Sequence, residues 1–225
     1  MIRTLDNIEQ GSDEWHDARR GIVTASVVGQ LITEKTIKPA SNDVSRAVTL
    51  KLVAERITGY TEPTYVSADM ERGTFDEPIA RAHYSEHIAP VTQVAFMTED
   101  RFGFTLGFSP DGLVGSDGLI EIKSRRQKTQ LKTILLDEVP AENMAQIQCG
   151  LLVSGRDWCD FVSWCGGMPM WTIRVFPDQQ WHDAIIQAVT TFEETAADMS
   201  ARYVTATAGL PETEREVDLY EEMRI

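Results

Sequence analysis

Residues 109–124, SPDGLVGSDGLIEIKS, set three charges, Asp111, Glu121 and Lys123, among apolar residues and glycines. The glycine-flanked Ser116-Asp117 is a hairpin-turn signal between two strand-like runs. Side chains alternate along a strand, so Leu119, Glu121 and Lys123 share one face, and Ile120 and Ile122 the other. The isoleucines can then anchor a core. Glu121 and Lys123 point together, roughly 6 to 7 Å apart along the strand, toward whatever Asp111 reaches from across the hairpin. Two carboxylates at a strand end repel unless a cation lies between them, and hard oxygen ligands suit Mg²⁺ or Mn²⁺. A lysine beside them would position or deprotonate a water, while the metal lowers that water's pKa and offsets charge on a phosphate. E-x-K alone, a common tripeptide, fits an exposed hairpin with a solvated ion pair better. What separates the two readings is Pro110-Asp111 upstream, followed by glycine and a hairpin into an Ile-rich strand.

The surrounding sequence predicts helices on both sides of a strand-rich middle. A helix runs from Ser12, with an acidic first turn, to Arg20 and stops at Gly21; a second opens near Thr24 and continues through SVVGQLI. Residues 33–43 read as an exposed loop, followed by an amphipathic helix from Val44 to Thr58 that Gly59 ends. Another helix spans Met70 to Glu86, and Gly73 and Pro78 inside it predict a kink or break near Glu77. Strands are expected at 91–98, 103–108 and 118–123, a helix from Pro140 to Gly155, strands near 158–164 and 170–176, and a long helix from Pro177 to Arg202. The expectation is a single α/β or α+β domain over 1–208 with a mixed central β-sheet flanked by helices. An acidic tail, 209–225, follows it as a short helix or disordered segment.

The formal charge of −14 argues, on its own, against a polyanionic partner. Its distribution qualifies this: residues 123–132, KSRRQKTQLK, carry five basic groups and no acid, whereas the tail carries six acids and two arginines. No apolar run reaches the roughly 18 to 20 residues of a membrane span, and the N-terminus lacks a charged-then-apolar leader. A cytoplasmic protein without membrane association is expected. Cys149, Cys159 and Cys165 lack metal-site spacing and read as reduced core thiols. His16, His83, His87 and His182 read as structural, and Trp158, Trp164 and Trp171 as core.

Four blocks resemble the phage lambda exonuclease family, the YqaJ-like viral recombinases of the PD-(D/E)xK nuclease superfamily. They are EWHDARRGIVTAS (14–26), RGTFDEPIARAHY (72–84), SPDGLVGSDGLIEIK (109–123) and MAQIQ (144–148), in the family's order and at about its spacings. The resemblance covers about Glu9 to Arg202 and implies a PD-(D/E)xK restriction-endonuclease-like core. It further implies a Mg²⁺-dependent (Mn²⁺ possible) 5′-to-3′ exonuclease of double-stranded DNA ends that releases mononucleotides and leaves 3′ overhangs for recombination by single-strand annealing. On this resemblance Glu77, Asp111, Glu121 and the backbone carbonyl of Ile122 hold the metal. Lys123 orients or activates the attacking water, and Gln146 hydrogen-bonds near it. Arg19, Ser26 and Ser109 resemble the family's pocket for a terminal 5′-phosphate, where arginine forks onto the anion.

Met70 falls where the family places an apolar wedge between the strands, although a core methionine is as good a reading. Arg125, Arg126, Lys128 and Lys132 would hold the DNA backbone or simply form a solvated face. Ser124-Arg125-Arg126 departs from the family's Cys-Pro-Phe-like segment, and the 33–46 loop is shorter and less basic. The family also implies a homotrimeric ring around duplex DNA, a phage single-strand annealing protein as partner, and a phage or prophage origin acting in the bacterial cytosol. The alternatives are a RecB-type or CRISPR-associated nuclease of other polarity, or a DNA-end-binding module without catalysis. Gly150 at the fourth place after Gln146 departs from the RecB-type Q-x-x-x-Y pattern.

Overall fold

The hairpin expected at 109–124 lies in a mixed sheet that helices cover on both faces. The computed structural model describes residues 1–63 and 65–215. Its elements, in chain order, are β1 (Arg3–Leu5), α1 (Asp13–Arg19), β2 (Val23–Thr24), α2 (Ala25–Val28), β3 (Ile32–Thr33), β4 (Lys38–Pro39), α3 (Asp43–Thr58), α4 (Ala68–His87), β5 (Val91–Thr92), β6 (Phe96–Glu99), β7 (Leu106–Phe108), β8 (Gly112–Val114), β9 (Gly118–Ser124), α5 (Gln127–Leu136), α6 (Ala141–Ser154), β10 (Trp158–Trp164), β11 (Trp171–Val175) and α7 (Gln179–Thr207). The fold is α+β with mixed sheets flanked by helices. Residues 216–225, most of the acidic tail, lie outside the described residues.

The expected single sheet is two. One runs β11-β10-β9-β8-β5, with β9 and β10 parallel; the other runs β1-β6-β7-β2, with β2 and β7 parallel. Residues 91–98, expected as one strand, supply both: Val91 pairs with Val114 of β8, while Met97 pairs with Phe108 of β7. The 33–43 loop is a small hairpin in which Ile32 pairs with Pro39. The helix expected from Thr24 is one short turn, α2, followed by a 3-10 turn at Gly29–Leu31.

β9 is buried on both faces. Leu119 joins the larger core with Ile147, Phe161 and Ile185 from α6, β10 and α7. Ile120 and Ile122 join Val162, Ala80 and Tyr84 in a smaller cluster beneath α4. The isoleucines therefore anchor the smaller core, and the Glu121 face is covered as well: Glu121 is 1% exposed. Gly118 opens β9 because Trp158 lies over it; a Cβ there would fall 2.1 Å from the indole ring.

Pro78 does not break α4, which is one helix of 20 residues. One side-chain contact spans the proline and a second anchors the last turn of the helix to β10. Arg81 bonds Glu77, and in the last turn the Tyr84 hydroxyl donates to Asp160 Oδ2 at 2.7 Å. Asp160 also accepts a two-pronged guanidinium from Arg174, which stacks 3.6 Å from the Trp158 ring centroid. Trp158, Trp164 and Trp171 are half-buried: Trp158 and Trp164 pack against the smaller core, and Trp158 and Trp171 direct their indole N–H groups to Asp117 and Asp137. The three cysteines are free and buried, and burial pushes the Cys149 thiol up to about 12.

Candidate active site

Strand register explains how residues distant in sequence reach one end of β9. Gly112 pairs with Ile120, so one step further out Asp111 stands opposite Glu121. Asp111 Oδ2 then accepts the Ile122 N–H at 2.6 Å. On α4, Glu77, Ala80 and Tyr84 follow helical spacing; Ala80 and Tyr84 seat the helix on β9 and β10, and Glu77 comes to Asp111 and Glu121 from the same side. From α6, the Gln146 Oε1 accepts from Lys123 Nζ at 3.0 Å. Glu77, Asp111, Glu121, Lys123 and Gln146 are thus gathered from three elements, α4, β9 and α6, and the turn before β8.

The electrostatics of this cluster are those of crowded acids. Burial raises the Asp111 carboxyl well above the ordinary aspartate range, and the Glu121 and Glu77 charges push it the same way. Burial also raises Glu77, with Glu121 adding to the rise and Arg81 opposing it. For Lys123, burial favours the neutral amine, but the Glu121 and Asp111 charges outweigh it and hold the ammonium. Lys123 Nζ lies 2.6 Å from Glu121 Oε1, an ion pair without hydrogen-bond alignment. Among the described residues neither Glu121 oxygen has a hydrogen-bond partner.

A buried carboxylate with unpartnered oxygens beside two further carboxylates fits a small, hard divalent cation in donor type. As placed, no three His, Cys, Asp or Glu side chains among the described residues converge on one metal position. Each carboxylate instead faces a group of the chain: Glu77 bonds Arg81, Asp111 accepts the Ile122 N–H, and Glu121 is ion-paired with Lys123.

Raised acids have a stability consequence. The cost of ionising Asp111 in the fold is absent below the ordinary carboxylate range, where folded and unfolded chains are both protonated. It grows as pH rises and is complete above the raised folded value. Asp111→Asn keeps an oxygen for the Ile122 N–H and removes the charge. In metal-free buffer at pH 8, thermal denaturation is expected to show Tm raised by about 2 °C or more, the shift that roughly 1 kcal/mol gives in a domain of this size.

A second cluster is built by another register. Thr24 of β2 pairs with Gly107 of β7 in parallel; Ser26 follows in the first turn of α2 and Ser109 just after β7, and both reach Arg19. Arg19, at the end of α1, donates to Ser109 Oγ at 2.7 Å and to Ser26 Oγ at 3.2 Å. Its guanidinium stacks 4.0 Å from the Trp15 ring centroid, and the Trp15 indole N–H donates to Ser109 Oγ at 3.0 Å. Burial lowers Arg19 to about 10, and no carboxylate among the described residues pairs with it. The turn after Arg19 needs glycine: Gly21 has φ +65°, and a Cβ there would fall 2.4 Å from Arg56 Cγ. Glu55 and Arg56 of α3 fix that turn through the Gly21 N–H and carbonyl.

The fold of this core has known counterparts. A profile of the YqaJ-like viral recombinase domain matches residues 14–157. The chain belongs to that family. The alkaline exonuclease LHK-Exo from Laribacter hongkongensis superposes with a TM-score of 0.78 at 33% identity, over 89% of this chain and 100% of that one. LHK-Exo in complex with dAMP superposes with a TM-score of 0.79 over the same shares and identity. A phage-related exonuclease from Haemophilus somnus 129PT shares the fold, with a TM-score of 0.62 at 13% identity over 81% of this chain and 96% of that one. A search of curated protein sequences found no match. The core is therefore that of a PD-(D/E)xK exonuclease.

The remaining expected DNA contacts divide. Met70 is 52% exposed in the first turn of α4, so it is not a core side chain. Lys128 and Lys132 are exposed on α5. Arg125 corrects the expectation of a solvated face: it turns inward, donates to Asn143 Oδ1 and lies 5.7 Å from the Phe161 ring centroid. Arg126 is paired with Asp69 at 2.8 Å. The His83 ring meets the His87 and Trp164 rings edge-on. Sequence reasoning missed Trp15 and Arg81, whose bonds to Ser109 and to the Asp111 carbonyl join residues remote in sequence. Among the described residues no helix is long and apolar enough to cross a membrane.

Proposed function

We propose that this nuclease is a Mg²⁺-dependent 5′-to-3′ exonuclease of double-stranded DNA ends that prefers a 5′-phosphate and releases mononucleotides. The observation that carries the reading is the pairing of two sites: the acidic cluster with Lys123 at the end of β9, and the uncompensated Arg19 with Ser26 and Ser109. Ser109 and Asp111, one from each site, are separated only by Pro110. The dAMP complex of LHK-Exo supports a mononucleotide product.

In this reading Glu77, Asp111, Glu121 and the Ile122 carbonyl hold Mg²⁺ or Mn²⁺. When bound, the ion supplies acidity to a water and offsets charge on the scissile phosphate. Lys123, steadied by Gln146, orients the water and neutralises Glu121. Arg19, Ser26 and Ser109 seat the terminal phosphate, so that the scissile bond lies one nucleotide along. Exposed Lys128 and Lys132, with half-exposed Met70, meet the duplex near its end. The reading carries with it a homotrimeric ring, a single-strand annealing protein that receives the 3′ overhang, and action in the host cytosol. A ring explains how a chain of charge −14 engages DNA, because only the channel lining need be positive.

The test is digestion of linear duplex carrying a 5′-phosphate or 5′-hydroxyl on one strand, with Mg²⁺ or with chelator, next to a closed circle. Selective loss of the phosphorylated strand, with Mg²⁺ only, is the expected result. Cleavage of the circle, or equal loss of both strands, would overturn the reading.

A further inference from the structure

We infer that Arg81 is a positioning residue that sets the geometry, and hence the affinity, of the metal site. The inference rests on the metal reading above and extends it to a residue outside the proposed ligand set. Arg81 is four residues after Glu77 on α4, and its side chain is 13% exposed. Its Nε donates to the Asp111 backbone carbonyl at 2.6 Å, and a terminal nitrogen bonds Glu77 Oε1. One guanidinium therefore ties a carboxylate of the helix to the main chain of the turn that presents a second carboxylate.

Glu77 and Asp111 belong to different elements. Asp111 is fixed to β9 through the Ile122 N–H, while α4 is fixed to β9 through Asp76 and Ser124 and to β10 through Tyr84 and Asp160. Arg81 adds a direct polar link between α4 and the backbone of the Asp111 turn. It lies just past Pro78, where the helix lacks a backbone hydrogen bond and needs side-chain support. The planar fork offers two donors with fixed separation; lysine supplies the charge from a single flexible nitrogen. Arg81→Lys thus keeps the charge and loses the two-point tie. Partners that orient metal ligands typically contribute about 10- to 100-fold in metal affinity.

The experiment is isothermal titration of Mn²⁺ into full-length protein without DNA, for wild type, Arg81→Lys and Asp111→Asn, with melting curves of each in chelator. The expected result is wild-type binding, binding lost in Asp111→Asn, and affinity about 10- to 100-fold weaker in Arg81→Lys with its fold intact by circular dichroism. Wild-type affinity in Arg81→Lys, with Asp111→Asn inactive in binding, would overturn the role of Arg81 alone. Absence of Mn²⁺ binding by wild type would overturn the metal reading and this inference with it. An Arg81→Lys variant with lowered Tm but undiminished affinity would make the residue merely structural and also overturn the inference. Turnover gives an independent readout: kcat is expected to fall at subsaturating Mn²⁺ and recover as Mn²⁺ is raised, with KM for DNA unchanged.

Discussion

Lys123→Ala is expected to lower kcat on 5′-phosphorylated duplex by about 10² to 10⁴-fold, the range for removing a group that assists proton transfer. Lys123 Nζ lies between Glu121 Oε1 at 2.6 Å and Gln146 Oε1 at 3.0 Å, and it is the cation paired with Glu121. The substitution removes both a donor to the water and the charge that offsets a fully buried carboxylate. Lys123→Arg is not expected to rescue activity, because a planar guanidinium cannot replace a compact ammonium between two acceptors. Single-turnover digestion at saturating enzyme measures the chemical step without product release. Activity within threefold of wild type would remove Lys123 from the mechanism. Gln146→Ala tests the same contact from the other side: it leaves the Lys123–Glu121 pair and removes only the steadying acceptor, so a smaller loss is expected.

The centre of this site was legible in the sequence because hairpin chemistry is local. The glycine-flanked turn, the alternation in LIEIK and the apolar flanks fix the β8–β9 register, and register alone sets Asp111 against Glu121. Glu77 was not legible from its own surroundings: on a helix it reads as a solvated charge, and only the four-block resemblance drew it toward the strand. α5 was missed for a different reason. Its buried side is polar, with Gln130 and Thr133 inside, while Leu131, Leu135 and Leu136 face outward. Gln130 is satisfied by the Ser163 and Pro169 carbonyls and the Ser163 hydroxyl. A search for apolar periodicity therefore has the wrong face to find. The division of one expected sheet into two was also out of reach. β5 and β6 are only a few residues apart, and which sheet each joins is decided by Val114 and Phe108, far along the chain.

Arg19→Ala is expected to abolish the preference for a 5′-phosphate, lowering kcat/KM on phosphorylated ends by about 10- to 150-fold, equivalent to roughly 1.5 to 3 kcal/mol for hydrogen bonds to a charged group, while leaving 5′-hydroxyl ends nearly unchanged. A half-buried guanidinium commonly has a carboxylate beside it, because an uncompensated charge withdrawn from water is costly. Arg19 has instead two hydroxyls, an indole face and a depressed pKa of about 10. Those partners orient the fork without neutralising it, and its charge is left for an incoming anion. The two serines are then poised to turn their hydroxyl hydrogens toward phosphate oxygens while Arg19 remains in place. Arg19→Lys separates charge from shape. If charge alone selected the end, lysine would keep most of the preference; if the fork is needed, it would behave as alanine does, and the stacking on Trp15 together with the two separately directed N–H bonds favours the second outcome. Competition between labelled phosphorylated and hydroxyl duplexes in one reaction gives the kcat/KM ratio directly. A preserved ratio in Arg19→Ala would detach this pocket from end recognition, while leaving the acidic cluster and Lys123 to be judged by their own variants.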